Sequence, residues 1–554
     1  MKLYKLSILA LAALGFAACN DINDVEPKGD GISAAQVTET VGLIPSRSEA
    51  DFTGMFSMMG EPYFYSPSST RADDFGFIMA AISQDAEGPD LQFPNSSYNW
   101  FSVCGELSSR TPTYANPLIR YSTPYSQLKI ANDLLRNYIT SEEQLDDAAF
   151  VEGLDSTAVN TIAQSLAIRA FDYLSLAPYF QFSYAAGAQD EPCVPIVTLS
   201  TVDATHNPRA TVKEVYDLII KDLTWAINHL DVNRNTKAQI NVNVAYGLRA
   251  RAYLATEQWA EAAADAEKAA DGYTPASIDE VSTPSFYDIN DHNWIWGYDM
   301  TASIANGRYA TSPSWIGSFS KQAYAAGVGC YAFINNLLYN KIPETDVRKG
   351  WWVDENLHSP LLATVDWDGV TGDDISTLQV ADEKEPYIAY TNVKFGVPSM
   401  PSPTSLNDSD WPFMRVEEML LIQAEGYAKS GNESKAKDIL TDFVKNYRDP
   451  SYSVPSVTVR SLADEIWFQR RVELWGEGFG WNDMMRQNKP LVRFHDDNSN
   501  YPEAYKFNLP AKDPWMLMRF PQRETNTNFD IVNNTGGVAP TTGINPSLRD
   551  GVTD

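Results

Sequence analysis

The sequence predicts an all-α fold, in which a scaffold of paired antiparallel helices is interrupted by long irregular loop excursions. Two observations lead to this prediction. Beyond residue 120, apolar residues recur at three- and four-residue steps over long stretches, which is the pattern of amphipathic helices. One pair of such stretches also recurs later in the chain, with the same small and aromatic residues at the same spacing.

The helical pattern is clearest in four stretches of the first half of the chain. They are residues 126–138, 158–176, 212–230 and 242–273. The turn Thr256-Glu257-Gln258 breaks the last stretch, because turn-forming and polar residues replace the apolar stripe there. We therefore expect two antiparallel helices on either side of this turn.

The helix pair around that turn has a counterpart in the second half of the chain. Ala250, Tyr253, Ala262 and Tyr273 correspond to Ala424, Tyr427, Ala436 and Tyr447, and the first turn corresponds to Ser430-Gly431-Asn432. Small residues at these positions let two helices approach closely, and the spacing is that of a tetratricopeptide unit. The scaffold is therefore predicted to consist of tetratricopeptide-like helix pairs.

Two long segments, at about 52–120 and 277–412, lack helical periodicity and are rich in Pro, Gly, Ser and Asp. Long irregular segments inside a compact protein are commonly functional, so we expect ligand and partner contacts there. Short extended pieces are predicted at residues 294–296 and 387–390. Trp294 and Trp296 flank Ile295 in the first piece and are assigned to the core.

The first eighteen residues have the parts of a secretory signal peptide, and Cys19 follows them. Lys2 and Lys5 precede an apolar run, and small residues stand before the cysteine. We predict cleavage before Cys19 and acylation of that cysteine. Several acyl chains would then give a stable anchor in the membrane. The mature protein is then expected outside the cytoplasm of a Gram-negative cell.

A membrane-spanning helix is the alternative interpretation of the apolar run, and its length argues against it. Leu6 to Ala18 would cover roughly 20 Å of a hydrocarbon core that is roughly 30 Å thick. The predicted organisation is therefore a signal peptide over residues 1–18, a lipidated tether and N-terminal segment over 19–50, and a single domain over 51–554.

The chain is strongly acidic, with 72 Asp and Glu against 42 Lys and Arg and a formal net charge of -30. This charge repels phosphate backbones and anionic lipid heads, so nucleic acid is not expected as a partner. Cys104, Cys193 and Cys330 remain when Cys19 is lipidated, and they permit at most one disulfide. They are expected to be small buried residues.

Common catalytic motifs are missing from the sequence. The five histidines are scattered, and there is no Gly-x-Ser-x-Gly elbow, phosphate loop or dinucleotide-binding glycine motif. Glu473 and Glu477 share a helix face, but a glycosidase pair must flank a sugar bond. With Arg470, Arg471 and Arg486 close in sequence, we interpret the two glutamates as members of a structural ion-pair network. The sequence therefore favours a protein that is not an enzyme.

An acidic loop at residues 366–374 offers carboxylates of the kind that can hold calcium. Asp366, Asp368 and Asp373 are weak candidates for a structural calcium site. The loop lacks the full twelve-residue pattern with its closing Glu, so a solvated acidic turn is the alternative. No other cofactor is expected.

The aromatic residues of the excursions suggest carbohydrate chemistry. A sugar ring has apolar C–H faces and hydroxyl edges, so its binding sites pair flat aromatic platforms with hydrogen-bonding side chains. Trp100 and Trp315 are the predicted platforms, and the further candidates are Asp73, Asn95, Tyr98 and Tyr309. Trp351 and Trp352 lie in the same kind of segment, and burial in the core is the alternative for any one of these rings.

Residues 466–486 carry a recognisable motif. Ile466, Arg470, Glu473, Leu474, Glu477, Gly478, Asp483 and Arg486 match the signature of the SusD/RagB family of outer-membrane nutrient-binding lipoproteins, while Gln469, Gly480 and Met484 depart from it. Other stretches resemble the same family in the same order along the chain. They include Ala131-Asn132, Arg169-Ala170, Arg415 with Glu418, Ala424-Glu425, and Pro521 with Glu524 and Asn528.

The resemblance implies a SusD-like helical fold and a binding protein. Members of the family typically sit as a lid on a SusC-type TonB-dependent transporter in the outer membrane and capture oligosaccharides. Some RagB-type members capture peptides, so a peptide ligand is the alternative. Because the family motifs mark the scaffold, the predicted ligand residues rest on loop position and sugar-binding chemistry alone.

Overall fold

The computed structural model describes residues 52–60, 73–94, 101–300, 316–319, 329–377, 385–403, 408–495 and 498–554. Met55–Asp554 form one compact unit. The longer helices are α1 (Gly76–Glu87), α2 (Ala115–Arg136), α3 (Ser156–Phe180), α4 (Val212–His229), α5 (Val242–Ala255), α6 (Trp259–Ala269), α7 (Val416–Lys429), α8 (Glu433–Tyr447), α9 (Leu462–Glu473) and α10 (Gly480–Arg486). Helices of four or five residues are Ser102–Gly105, Ala148–Glu152, Ile278–Val281, Asn336–Tyr339 and Gln522–Thr525.

Several of these helices begin where the side chain of the residue directly before the helix accepts a hydrogen bond from a backbone N–H group of the first turn. Thr211 accepts a hydrogen bond from the Glu214 N–H of α4, and the Glu214 carboxylate accepts one from the Thr211 N–H. The Asp155 carboxylate accepts from the Ala158 N–H at the start of α3. These contacts satisfy N–H groups that have no partner inside the helix.

The scaffold is a series of helices that pack against their neighbours. Along the chain, α3 packs against α2 and α4, α5 packs against α4 and α6, and α7 packs against α6, α8 and α9. The second excursion therefore leaves the scaffold after α6 and returns at α7, which packs directly on α6. One core cluster lies among α7, α8 and α9 and contains Leu421, Leu440, Phe443 and Ile466.

The predicted repeat is confirmed as two helix pairs, α5 with α6 and α7 with α8. Ala250, Ala262, Ala424 and Ala436 are all fully buried, as close helix packing requires. The prediction of an all-α scaffold with loop excursions is likewise confirmed. Within the described residues, no helix has both the length and the apolar character needed to cross a bilayer.

The first predicted helix is longer than its sequence pattern indicated. It begins at Ala115 instead of near residue 126 and contains Pro124 within it. The difference arises because this helix is buried on more than one side, which removes the amphipathic stripe that the prediction used. Two prolines in the stretch, Pro117 and Pro124, also argue against a helix on local propensity alone.

Within the described residues, six short strands form three antiparallel pairs. The strands are β1 (Leu91–Gln92), β2 (Pro192–Pro195), β3 (Arg209–Thr211), β4 (Trp294–Tyr298), β5 (Phe333–Ile334) and β6 (Trp411–Arg415). β1 pairs with β5, β2 with β3, and β4 with β6. The β1–β5 pair joins the two excursions, and the β4–β6 pair joins the beginning of the second excursion to its end.

The structure confirms one predicted extended piece and contradicts the other. Trp294 and Trp296 lie in β4 with no exposed surface. Residues 387–390 form no strand, and Tyr390 has a left-handed φ of 69°. A left-handed residue turns the chain away from the extended course that was predicted there. Cys104, Cys193 and Cys330 are buried, as predicted.

Candidate functional site

Most of the residues predicted to contact a ligand lie outside the described residues. They are Trp100, Trp315, Asn95, Tyr98 and Tyr309, and the lipidation candidate Cys19 lies outside as well. Asp73 is described and is buried, with 5% of its surface exposed. The roles of these residues therefore stay predictions.

The residue that follows each predicted tryptophan platform is fixed in the core. Phe101 follows Trp100, is fully buried and stacks on Phe93 with ring centroids 5.1 Å apart. Ile316 follows Trp315 and is fully buried, and its carbonyl oxygen accepts a hydrogen bond from the Asn392 side chain at 2.9 Å. The chain next to both predicted platforms is thus held by rigid packing.

Trp351 and Trp352 belong to the core, contrary to their inclusion among the possible ligand contacts. Neither ring has exposed surface. The Trp351 indole N–H donates to the Val281 carbonyl oxygen at 2.9 Å, and Trp352 meets Trp475 edge to face at 5.3 Å. Their position in a loop-rich segment concealed this burial, because sequence alone does not show that the loop folds back over the scaffold.

The acidic loop does not assemble a calcium site among the described residues. The Asp366 carboxylate accepts a hydrogen bond from the Gly369 N–H at 2.6 Å, which closes the turn on itself. The Asp373 carboxylate lies 2.8 Å from the His358 ring nitrogen. In the described part of the chain, no group of three or more His, Cys, Asp or Glu side chains is arranged to hold a metal ion.

Glu473 and Glu477 lie in a buried ion-pair network, which confirms their structural interpretation. Glu473 contacts Arg348 at 3.3 Å, Arg415 at 3.2 Å and Arg448 at 2.8 Å. These contacts involve carboxylate oxygens that have no exposed surface. Although burial disfavours its charge, the three guanidinium groups hold the pKa of Glu473 well below its usual value.

Glu477 completes this network through a different cation. Its carboxylate contacts the Lys394 ammonium at 2.7 Å and the Arg415 guanidinium at 2.8 Å. Burial lowers the pKa of Lys394 to about 8, and the neighbouring Glu477 opposes that shift. Lys394 also donates to the backbone oxygens of Glu473 and Trp475 at 2.9 Å and 2.8 Å, so its donors are used within the protein.

The network ties the second excursion to the scaffold. Arg348 and Lys394 belong to the excursion, Arg415 and Arg448 lie on either side of the α7–α8 pair, and Glu473 ends α9. Sequence reasoning placed the glutamates beside Arg470, Arg471 and Arg486, but those arginines have other partners. Arg470 pairs with Asp483, Arg486 with Glu425 and Asp483, and Arg471 with Asp90 and Asp550.

The cations of Glu473 and Glu477 were therefore missed in the sequence. Arg348 and Lys394 lie in the loop-rich second excursion, where a long-range partner cannot be read from spacing. The available signal was weak: these are two of the few basic residues in a chain where acidic residues outnumber basic ones.

A partly open cavity of about 150 Å³ lies among the helices of the scaffold. Phe77, Phe171, Phe413 and Phe479 supply apolar walls, and residues of several helices, including some of the signature motif, line the rest. Drug-sized ligands usually occupy sites of roughly 300–1,000 Å³. The cavity is too small for an oligosaccharide, so we seek the ligand site on the excursions.

Two sequence models of known families match the chain. The SusD family model matches residues 284–536. A second, SusD-like model, described as starch-binding and associating with the outer membrane, matches residues 80–254. This chain belongs to the SusD family. The comparison with curated protein sequences found no match to this chain.

Solved structures show the same fold as this SusD-like protein. A SusD-like carbohydrate binding protein from Bacteroides vulgatus is 22% identical with a TM-score of 0.67, over 88% of this chain and 97% of that one. A SusD superfamily protein from Bacteroides thetaiotaomicron is 18% identical with a TM-score of 0.64, over 88% and 99%. Surface glycan-binding protein A from Bacteroides uniformis is 14% identical with a TM-score of 0.62, over 88% and 99%.

Proposed function

We propose that this SusD-like protein captures oligosaccharides at the cell surface and delivers them to a SusC-type TonB-dependent transporter of the outer membrane. The observation that carries the proposal is the match to two SusD-type models, one of them described as starch-binding and associating with the outer membrane. The predicted lipoprotein signal ending at Cys19 supports the same location, since an acylated cysteine anchors a protein to a membrane.

Binding without catalysis is supported by the ion-pair network. A glycosidase needs two carboxyl groups on either side of the scissile bond, with room for the sugar between them. Glu473 and Glu477 are buried, and each contacts at least two cations of the protein. They are therefore engaged in holding the second excursion, and the cavity that Glu477 lines is too small to admit an oligosaccharide.

We place the first sugar contacts at Trp100 and Trp315. Stacking on an aromatic ring needs a platform that does not lose much freedom on binding. The fixed positions of Phe101 and Ile316 support this assignment, because each anchors the chain directly beside one of the tryptophans. Asp73, Asn95, Tyr98 and Tyr309 are proposed as the additional contacts.

An array of oligosaccharides and peptides tests the proposal directly. The full-length protein is expected to bind one or more oligosaccharides and to leave them uncleaved when the bound material is recovered and separated by chromatography. If the protein binds peptides and no oligosaccharide, its proposed function changes from oligosaccharide capture to peptide capture. Release of shortened sugars would show that the protein is an enzyme.

A further inference from the structure

A polar groove lies on the second excursion and is formed by described residues. Its volume is about 630 Å³, within the range of ligand pockets. The short helix Asn336–Tyr339 and the residues that follow it form one wall, and Tyr390 and the Asp354-Glu355 turn form another. None of these residues was predicted as a ligand contact.

Two tyrosine rings meet in the groove. The ring centroids of Tyr339 and Tyr390 are 5.1 Å apart, and the ring planes are inclined by 67°. Tyr339 is buried and Tyr390 is half-buried, so the first ring supports the second from behind. Such a supported and partly exposed ring is the kind of surface on which the C–H face of a sugar packs.

The backbone of Tyr390 is held in an uncommon conformation. Its φ of 69° lies in the left-handed region, which a bulky residue seldom adopts. The Tyr390 N–H donates to the Val353 carbonyl at 3.1 Å, and the Tyr390 carbonyl accepts from the Ile334 N–H at 3.1 Å. Strained residues that the surrounding structure holds in place occur frequently at binding sites. The fold thus keeps this ring at the groove despite the strain.

Acidic side chains outnumber basic ones in the groove, with Glu344, Asp354 and Glu355 against Lys341 and Lys349. Lys349 pairs with Glu344, and Lys341 donates to the backbone oxygen of Asp554. Asp354 and Glu355 form no ion pair with another described residue, while the Asp354 carboxylate accepts from the N–H groups of Asn356 and His358. Burial, followed by the charges of Glu355 and Asp354, raises the pKa of Tyr390. The tyrosine hydroxyl therefore stays protonated and can donate.

We propose that this groove binds a stretch of oligosaccharide that carries no negative charge. Tyr390 stacks on a sugar face, and Asp354 and Glu355 accept hydrogen bonds from sugar hydroxyls. Uronic acid or sulfated units are disfavoured, because three carboxylates of the groove face two lysines and one of these, Lys349, is already paired with Glu344. This inference rests on the proposed capture of oligosaccharides and adds a second contact region and a charge preference to it.

Titration of the full-length protein against a panel of neutral malto-, xylo- and manno-oligosaccharides and acidic oligogalacturonates tests the inference. The wild type is expected to bind at least one neutral oligosaccharide and no oligogalacturonate. Tyr390→Gly and Tyr390→Asn should each lower that affinity about tenfold, the loss of one stacked ring. Both replacements tolerate the left-handed φ, so both variants are expected to fold.

Two further variants separate the roles of ring and charge. Tyr114→Ala removes an exposed ring outside the groove and should leave the affinity unchanged. Glu355→Gln should reduce the preference for neutral over acidic oligosaccharides. Folded Tyr390 variants with wild-type affinity, or a wild type that binds only oligogalacturonate, would overturn this inference and leave oligosaccharide capture standing. A wild type that binds no oligosaccharide would overturn both.

Discussion

Asp172 lies fully buried on α3, and neither of its carboxylate oxygens has a hydrogen-bond partner among the described residues. Burial raises its pKa well above the ordinary value. The folded protein therefore holds a proton at pH values where the unfolded chain, with a pKa near 3.9, has released it. The contribution of this residue to the stability consequently falls as the pH rises above about 4.

Asp172→Asn should remove that pH dependence, because the amide cannot ionise. Relative to the wild type, the free energy of unfolding of the variant should increase with pH by up to about 1.4 kcal/mol per unit from about pH 4 upwards. Urea unfolding at pH 5 and pH 8 measures the difference. Asp442→Asn, on the exposed face of α8, is the control and should show no such trend. A constant difference for Asp172→Asn would mean that the carboxyl is ionised in the folded protein.

Glu473→Gln leaves several buried guanidinium groups without their counter-charge. We expect a loss of about 3 kcal/mol in the free energy of unfolding, because an uncompensated buried charge is costly. Glu433→Gln, which breaks an exposed pair with Lys437, should cost about 0.5 kcal/mol or less. Oligosaccharide affinity should be unchanged in the folded fraction. Lost binding in a stably folded Glu473→Gln protein would instead place this residue in the ligand site.

The two tetratricopeptide-like pairs have a residue in the left-handed backbone conformation at equivalent positions of their turns. Glu257 in the turn between α5 and α6 has a φ of 61°, and Gly431 in the turn between α7 and α8 has a φ of 93°. Glycine adopts this conformation without strain, whereas a residue with a Cβ atom does not. One repeat thus carries the favoured residue and the other carries a strained one.

Exchanging residues at these turns should shift stability in opposite directions. Gly431→Ala is expected to cost about 1 kcal/mol through backbone strain alone, since an added Cβ would meet no atom within 4 Å. Glu257→Gly should increase stability by about 0.5 kcal/mol, because relieved strain exceeds the entropy that glycine loses on folding. Thermal unfolding of both variants checks the pair. A stabilised Gly431→Ala protein would show that the turn adopts another conformation.

At the level of elements, sequence periodicity located most of the scaffold helices. It failed where burial on several sides sets the bounds of a helix or where long-range contacts set the partners of a residue. The predictions for α3 to α6 and the repeat were correct, and they were clearest for α4 and α6, because these two helices have one apolar face. The start of α2 was missed because its surroundings bury it on several sides. The network around Glu473 and the groove at Tyr390 could not be predicted, since Arg348, Lys394 and Tyr390 meet their partners only after the excursion folds back.

For the whole molecule, attachment to the membrane is predicted to depend on one sulfur atom. Cys19→Ser should abolish acylation and release the protein from the outer membrane, because serine offers no thiol for the thioether. Metabolic labelling with an alkyne fatty acid and fractionation of the cells measure both effects. Cys104→Ser serves as the control, since that buried thiol should carry no lipid. A labelled and membrane-bound Cys19→Ser protein would refute the lipoprotein prediction.

The proposed delivery to a transporter predicts a stable complex. Affinity purification from gently solubilised membranes should recover a SusC-type transporter together with this protein, through an interface much larger than one ligand site. The released Cys19→Ser protein should recover less of it, because the anchor raises the local concentration. Recovery of the wild type alone, under conditions that keep a known complex of this kind intact, would contradict the lid arrangement.

The antiparallel pairing of β4 with β6 holds the two ends of the second excursion side by side. The segment between them is a cassette whose exposed turns can change in length at small cost, because the entropy of closing a flexible loop grows only with the logarithm of its length. The cassette must nevertheless contain two cations at the positions of Arg348 and Lys394, since the buried carboxylates of Glu473 and Glu477 in the scaffold require them as partners. Exchange of this segment between related proteins should therefore alter the ligand preference while the helical frame stays intact, provided that both charges are carried along.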